Sequence, residues 1–192
     1  QMCIRDRKET KLVAILRGIP VKQATDIATA LYDGGVRVLE FTFDHDDPDC
    51  VAHNCQRIRA VKKIFGDEMV VGCGTALTVQ EVEASVEAGG QIVISPNVDV
   101  SVIAKTKALG AISMPGALTP TEIVMAYNAG ADIVKLFPAG TLGVPYIKAV
   151  RGPLGYIPMS AVGGVRPETI ADFLNVGVCG FGVGGELVKK EF

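Results

Sequence analysis

The chain has 192 residues, 48% of them hydrophobic, and a formal net charge of −2 at pH 7. This length suits a single domain with a sizeable core and is short for two. The chain lacks the basic surplus of a nucleic-acid-binding protein, so no nucleic acid is expected as a partner. No apolar run approaches the roughly 18 residues of a membrane span, so no membrane association is expected.

Five cysteines and two histidines bear on compartment and metal binding. An odd number of scattered cysteines fits a reducing cytosol better than a disulfide framework, which favours a cytoplasmic location. Neither His45 nor His53 has a metal-binding spacing, so no metal and no cofactor is expected. His45 follows a predicted strand, where a solvated loop position is favoured over a place in a site.

Residues 1–10 carry no periodicity and no signal-like segment, and they are predicted to be an extension outside the domain. Beyond them, apolar runs and helical patterns alternate to the end of the chain. The predicted strands lie at 12–19, 36–43, 69–75, 91–95, 111–114, 133–137, 157–162 and 179–183.

Three of the intervening helices have recognisable starts. Thr78 and Thr119 each precede a glutamate by three residues, which is the spacing of a capping box. Arg166 stands before Pro167, and proline favours the first position of a helix. Eight buried strands alternating with helices predict an α/β fold, a single (β/α)₈ TIM barrel over residues 11–192. An open doubly wound sheet is the competing architecture, but it rarely has eight consecutive parallel strands.

Few residues follow the eighth predicted strand. They are too few for the last outer helix of a barrel, so the chain is expected to be truncated at its C-terminus. That helix covers apolar faces of the first and last strands. We therefore expect this chain to be less stable than a version extended by an amphipathic helix.

One lysine lies inside a continuous apolar run, from Ile133 to Phe137. The run predicts a strand buried on both faces, where Lys135 has little room to extend its amine into solvent. Burial favours the neutral amine, which is the nucleophilic form. Lys135 is therefore a candidate for forming a Schiff base with a ketone. The alternative is a lysine whose stem passes its apolar neighbours and reaches water.

The period of two along a strand predicts which side chains face the barrel interior. In the second strand the aromatic face must meet the helices, so Glu40 faces inward. Cys73 and Thr75 are predicted to share the inward face of the third strand. The inward polar positions should meet at the mouth where barrel enzymes assemble their active sites: Arg17, Glu40, Thr75 and Lys135. A buried ion bridge between Arg17 and Glu40 is the structural alternative.

Two glycine pairs follow the seventh and eighth predicted strands, Gly163 with Gly164 and Gly184 with Gly185. Glycine lets backbone N–H groups approach a phosphate closely, and these loops are the usual phosphate site of a barrel. A phosphorylated substrate is therefore expected, although such pairs also form simple turns. The Gly-x-Gly-x-x-Gly pattern at 180–185 is not interpreted as a dinucleotide site, because it lies within a strand and no crossover helix follows.

Seven segments of the chain carry a resemblance to a known family, at 13–17, 34–42, 72–75, 94–96, 114–116, 134–139 and 162–165. In this order the segments resemble the class I 2-keto-3-deoxy-6-phosphogluconate (KDPG) aldolases, also described as bifunctional with 4-hydroxy-2-oxoglutarate (KHG) aldolase. The resemblance implies a homotrimeric barrel that cleaves KDPG to pyruvate and glyceraldehyde 3-phosphate. It also implies KHG, cleaved to pyruvate and glyoxylate, as a second substrate.

The resemblance implies roles for individual residues. Lys135 would form the Schiff base, and Glu40 would be the general acid and base. Thr75 would help to hold the pyruvyl carboxylate, while Pro96 and Phe137 would shape the pocket. The phosphate would be bound at Gly163, Gly164, Gly184 and Gly185.

The chain departs from the family pattern at two positions and at its ends. Where many members carry an arginine that grips the substrate carboxylate, this chain has Asp44. Arg17 is expected to supply the missing charge from the first strand. Gly185 replaces a serine that is common in the eighth-strand phosphate loop. The outer helices that the family has before the first strand and after the last are not evident in this sequence.

Other functions stay open at this point. An aldolase for the galactonate epimer of KDPG would share all the features described. Another phosphosugar barrel, such as an isomerase or epimerase, would share the glycine loops without needing Lys135. A catalytically inactive barrel that only binds a metabolite or a partner subunit would need none of the reactive groups.

Overall fold

A computed structural model gives the fold of this protein and describes residues 11–188. Strands and helices alternate along the chain. The strands are β1 (Leu12–Leu16), β2 (Val38–Thr42), β3 (Val70–Gly74), β4 (Ile92–Ile94), β5 (Ile112–Met114), β6 (Gly116–Ala117), β7 (Val134–Leu136), β8 (Met159–Val162) and β9 (Gly180–Val183). The helices are a 3₁₀ turn (Val21–Gln23), α1 (Ala24–Asp33), α2 (Cys50–Phe65), α3 (Val79–Glu87), α4 (Val100–Ala108), α5 (Pro120–Asn128), α6 (Ala139–Leu154) and α7 (Pro167–Asn175).

All strand pairs are parallel, and β5 and β6 are two halves of one barrel strand. β5 pairs with β4 and β6 pairs with β7, at opposite ends of the sheet order β5-β4-β3-β2-β1-β9-β8-β7-β6. Pro115 separates the halves because it has no N–H to donate, while its carbonyl accepts a hydrogen bond from the backbone N–H of Lys135 at 2.9 Å. Eight barrel strands are therefore present and the sheet nearly closes, which confirms the predicted TIM barrel.

The apolar side chains form an inner and an outer layer. The interior of the barrel holds a small cluster, with Val38, Val70, Ile92, Ile94, Met114 and Val162. Larger clusters lie between the strands and the helices. In β2, Leu39 and Phe41 belong to the outer layer while Val38 belongs to the inner one. The predicted alternation of β2 is thus confirmed, and it places Glu40 inside the barrel.

The alternation predicted for the third strand is wrong. Val71 and Cys73 pack on the helix side of β3, whereas Val70 faces the interior. Regular alternation would then direct Thr75 toward the helices as well. However, Thr75 has a backbone φ of 57°, the only positive φ at a non-glycine position among residues 11–188. This conformation ends the strand geometry, and Thr75 lines the central cavity despite its register.

The predicted helix starts agree with the structure. The side chains of Thr78 and Thr119 accept hydrogen bonds from the backbone N–H groups of Glu81 and Glu122, and both capping boxes are complete. α7 begins at Pro167 after Arg166. The predictions for residues 1–10 and for the chain end beyond residue 188 lie outside the described residues. None of the described helices is long and apolar enough to cross a membrane.

Candidate active site

A cavity of about 1350 Å³ lies at the C-terminal ends of the barrel strands. The residues predicted for the site all line it: Arg17, Glu40, Thr75, Pro96, Lys135, Phe137, Gly163, Gly164, Gly184 and Gly185. They come from strands and loops spread over most of the chain, and closure of the barrel brings them to one mouth.

Lys135 lies on the inner face of β7, between strands that hold it on both sides. Its side chain is buried, at 7% exposure. Burial lowers the pKa of the Lys135 ammonium, the nearby Arg17 guanidinium lowers it further, and Glu40 opposes both effects. The Nζ atom lies 5.0 Å from the centre of the Phe137 ring. The surroundings therefore favour a neutral amine that borders the cavity.

Glu40 lies on the inner face of β2 and is 1% exposed. Burial raises the pKa of the Glu40 carboxyl to about 7, although Lys135 and Arg17 both act to lower it. Its Oε2 atom has no hydrogen-bond partner within the described part of the chain. A carboxyl group with a pKa near neutrality can both accept and return a proton under ordinary conditions.

The space for the Glu40 carboxylate is provided by Gly74, at the end of β3. A Cβ atom at Gly74 would lie 2.0 Å from Glu40 Oε2, closer than any side chain tolerates. Gly72 has a different role, because its Cβ would lie 1.8 Å from the backbone oxygen of Ile92. Both glycines lie in the segment 72–75, and the sequence alone predicted no role for them. In the strand register Glu40 lies beside Gly72 and Thr42 lies beside Gly74, so the register alone does not predict the contact between Gly74 and the carboxylate.

Arg17 follows β1 and is exposed at the rim of the cavity. In residues 11–188 no ion pair joins it to Glu40, so the buried ion bridge considered as an alternative does not form. Arg17 is therefore free to interact with a ligand. Asp44 and His45, which follow β2, line the same cavity.

Comparison with known proteins identifies the family. The family described as "Aldolase: KDPG and KHG aldolase" matches residues 4–192. A probable 2-dehydro-3-deoxy-6-phosphogalactonate aldolase of Rhizobium meliloti (strain 1021) is 37% identical, over 94% of this chain and 83% of that protein. The Escherichia coli (strain K12) 2-dehydro-3-deoxy-6-phosphogalactonate aldolase is 35% identical, over 93% of this chain and 84% of that protein. A solved structure described as native KDPGal superposes with a TM-score of 0.88 at 34% identity, covering 96% of this chain and 87% of that one.

The chain belongs to the KDPG and KHG aldolase family. The relatives described above are named as aldolases, which are lyases, so this chain is a lyase.

The two glycine pairs of this aldolase differ in how strictly they need glycine. Gly163 and Gly164 have φ values of 84° and 72°, which side chains rarely adopt. The Gly163 carbonyl also accepts a hydrogen bond from the backbone N–H of Gly140 at 2.7 Å. Gly184 and Gly185 have no such constraint, and a Cβ at Gly185 would meet open space. The loop backbone therefore requires glycine at positions 163 and 164 but not at positions 184 and 185.

His45 was predicted to be a solvated loop histidine, and it lies in the loop after β2 with its side chain 39% exposed. It also lines the cavity, and its Nε2 atom lies 2.7 Å from Glu81 Oε1, a contact that the sequence did not predict. Glu81 is 36 residues further along the chain, so no local pattern connects the two. The only signal in the sequence was the position of His45 just after a strand. Within residues 11–188 no group of three or more His, Cys, Asp or Glu side chains could hold a metal ion.

Proposed function

We propose that this protein is a class I aldolase in which Lys135 forms a Schiff base with the C2 ketone of a phosphorylated 2-keto-3-deoxy sugar acid. The observation that carries the proposal is the pairing of a buried lysine of lowered pKa with a buried carboxyl group of raised pKa in one cavity. Opposite shifts of two neighbouring groups are typical of acid and base chemistry at a site.

The neutral Lys135 amine adds to the C2 carbonyl, and loss of water gives an iminium ion. The iminium accepts the electron pair of the C3–C4 bond as that bond breaks. The products of this step are an enamine on Lys135 and a free aldehyde, glyceraldehyde 3-phosphate. Protonation of the enamine at C3 and hydrolysis then release pyruvate and restore the amine.

Glu40 is the proposed acid and base for both proton transfers. Its carboxylate, directly or through a water molecule, takes the proton of the C4 hydroxyl during cleavage. The same carboxyl group then returns a proton to C3 of the enamine. Its pKa of about 7 suits both steps, and such a positioned group contributes about 10²–10⁴-fold to rate.

The remaining residues bind the two ends of the substrate. Thr75 and Arg17 are proposed to hold the pyruvyl carboxylate, with Pro96 and Phe137 shaping the pocket around the ketone. The phosphate is proposed to bind at the two glycine loops, Gly163–Gly164 and Gly184–Gly185. All of these residues line the cavity that contains Lys135, which supports the assignment.

The galactonate epimer is the substrate that we propose first, in place of the KDPG expected from the sequence. Two relatives at 37% and 35% identity are named for 2-dehydro-3-deoxy-6-phosphogalactonate. The KHG/KDPG aldolase of Escherichia coli (strain K12) is 34% identical over 80% of this chain, and the 2-dehydro-3-deoxy-phosphogluconate aldolase of Treponema pallidum (strain Nichols) is 32% identical over 80% of it. The 4-hydroxy-2-oxoglutarate reaction remains a prediction from the family resemblance.

Initial rates of pyruvate release test this proposal. We expect kcat/KM to be about 10 to 100 times higher for the phosphogalactonate substrate than for KDPG, because epimers differ by one or two pocket contacts. Lys135→Met should abolish both reactions, while Lys105→Met, which removes a surface lysine paired with Glu83, should leave them unchanged. Equal rates on the two epimers would contradict the substrate assignment, and an active Lys135→Met enzyme would contradict the mechanism.

The proposal also includes a cytoplasmic homotrimer, as the family resemblance implies. Sedimentation equilibrium of the purified protein should then give a mass three times that of the 20.2 kDa chain. A mass equal to that of one chain, independent of concentration, would contradict this assembly.

A further inference from the structure

The Phe137 ring lies against the amine of Lys135. The Lys135 Nζ atom is over the face of this ring, 5.0 Å from its centre. Phe137 is 38% exposed and lines the cavity, so the ring borders the space that a substrate would enter. The face of an aromatic ring carries partial negative charge and attracts a cation within about 6 Å of the ring centre. Phe137 is therefore placed to act on a positive charge that forms on this nitrogen.

Gly163, in the loop after β8, packs against one edge of the Phe137 ring. A Cβ atom at Gly163 would lie 3.0 Å from both Cδ2 and Cε2 of the ring, and 3.5 Å from the Cα atom of Pro138. The Gly163 carbonyl accepts the hydrogen bond from the backbone N–H of Gly140, at the start of α6. This bond fixes the loop beside the ring, so a side chain at position 163 would push the ring from its place.

The proposed reaction creates a positive charge on the Lys135 nitrogen. The neutral amine adds to the ketone, and the departing water takes one proton from the nitrogen and one from an acid. The nitrogen keeps its remaining proton and becomes a cationic iminium. The burial that disfavours the Lys135 ammonium also disfavours this cation, so the iminium needs compensating negative charge nearby.

Glu40 can supply that charge only part of the time. Burial raises the pKa of the Glu40 carboxyl to about 7, so near neutral pH the group is neutral in a large fraction of the molecules. Its charge also changes when it gives or takes a proton during the reaction. Arg17 adds positive charge to the surroundings of Lys135. The charge distribution of the Phe137 ring, in contrast, depends neither on pH nor on proton transfer.

We propose that the face of the Phe137 ring stabilises the cationic iminium on Lys135, and that Gly163 is a positioning residue that holds the ring in this place. This inference rests on the proposed function, because the iminium is an intermediate of that reaction. It gives Phe137 an electrostatic role in addition to shaping the pocket. It also gives Gly163 a role at the keto end of the substrate, where no phosphate binds.

Fluorinated phenylalanines separate the charge of the ring from its shape. Fluorine withdraws negative charge from the face of the ring and changes the shape little. Mono-, di- and trifluorinated phenylalanine are introduced in place of Phe137 by stop-codon suppression. The initial rate of borohydride trapping is then measured against pyruvate concentration. The pH is chosen on the plateau of the trapping profile, where free Lys135 is neutral and the ring acts on the adduct alone.

We expect the pyruvate concentration for half-maximal trapping to rise with each added fluorine, by about three- to tenfold in total, while the saturating rate does not fall. A lost packing contact would lower the saturating rate as well. The same fluorinated series in place of Phe65 is the control, because Phe65 packs against Tyr32 at 5.0 Å between ring centres and does not line the cavity. This series should trap pyruvate like the unaltered protein.

Gly163→Ala tests the positioning role, and pyruvate is the suitable ligand because it has no phosphate. We expect Gly163→Ala to raise the half-maximal pyruvate concentration. Gly110→Ala is the control for backbone strain, since Gly110 has a φ of 76° against 84° at Gly163 but nothing lies within 4 Å of its Cβ position. In a Phe137→Leu protein, Gly163→Ala should have a much smaller additional effect, because the ring that it displaces is absent.

Each outcome decides the inference. A half-maximal pyruvate concentration that stays constant through the fluorinated series at Phe137 would overturn the electrostatic role. An effect of Gly163→Ala that is equally large with and without the ring would overturn the positioning role, since the substitution would then act through the loop alone. Failure of the unaltered protein to form any pyruvate adduct contradicts the proposed function itself, and is distinguishable because it precedes any comparison of variants.

Discussion

At the scale of single residues, burial sets the protonation of the two groups proposed to react. Glu40 and Lys135 lie inside a barrel whose other inner side chains are largely apolar. Ionisation of either group in this interior costs free energy. The attraction between the Glu40 carboxylate and the Lys135 ammonium reduces this cost but does not cancel it.

The ionisation of Glu40 should be visible in the stability of the protein. Folding raises the pKa of Glu40 from 4.5 to about 7. The contribution of Glu40 to the free energy of unfolding is therefore fully present below pH 4.5, where the carboxyl is neutral in both states, and is lost as the pH rises through 7 and the buried carboxyl ionises. Glu40→Gln cannot ionise, so its free energy of unfolding should exceed that of the unaltered protein by up to about 3 kcal/mol at about pH 8, and by far less near pH 5. Urea denaturation at the two pH values measures the difference.

Glu83→Gln is the control for this measurement. Glu83 is an exposed residue in an ion pair with Lys105, and such pairs contribute about 0–1 kcal/mol. A stability difference for Glu40→Gln that stays constant between the two pH values would show that the carboxyl does not titrate in this range.

Arg17 and Asp44 provide a second test at this scale. Both line the cavity, but only Arg17 can neutralise the carboxylate of pyruvate. Arg17→Ala should therefore raise the pyruvate concentration needed for half-maximal trapping by tenfold or more, since hydrogen bonds to charged groups contribute about 1.5–3 kcal/mol. Asp44→Ala should have little effect or improve binding. Equal effects of the two substitutions would mean that Arg17 does not bind the substrate carboxylate.

At the scale of elements, β3 shows how two glycines in one strand serve different purposes. A Cβ at Gly72 meets backbone of β4, which cannot move independently of the sheet, whereas a Cβ at Gly74 meets the end of the Glu40 side chain. Gly72→Ala should therefore destabilise the barrel by about 1–3 kcal/mol or more. Gly74→Ala should fold but displace the Glu40 carboxylate.

The two glycine variants are distinguished by comparing melting temperature with turnover. We expect a lowered melting temperature for Gly72→Ala, and a near-normal one with at least tenfold lower kcat for Gly74→Ala. Gly152→Ala is a control, since nothing lies within 4 Å of its Cβ position. A fully active Gly74→Ala enzyme would mean that the position of the Glu40 carboxylate does not matter for the reaction.

Elements governed by local rules were predictable from the sequence. The capping boxes at Thr78 and Thr119 depend on residues three apart, and the inward position of Glu40 depends on the aromatic face of its own strand. Thr75 lines the cavity, but the alternation predicted for its strand was wrong, and its positive φ rather than that alternation brings it there. The break of one barrel strand at Pro115 was not predicted, since proline can also lie at a strand end.

At the scale of the whole molecule, barrel closure explains how the site residues come together. Strand order follows chain order, so prediction of the barrel was enough to place the ends of β1, β2, β3, β7, β8 and β9 around one mouth. The contact between His45 and Glu81 could not be predicted in this way, because the two residues lie on different elements, 36 positions apart in the chain. Contacts of this kind follow from the assembled fold and leave no periodic pattern in the sequence.

The central claim is that Lys135 forms a Schiff base, and borohydride trapping tests it most directly. The protein is incubated with pyruvate and sodium borohydride, digested, and the modified peptide is identified by mass spectrometry. We expect one reduced pyruvate adduct per chain, located on Lys135, and none on the Lys135→Met protein under the same conditions. A folded sample in which Lys135 stays unmodified, or in which surface lysines such as Lys105 are modified to the same extent, would contradict the Schiff-base mechanism.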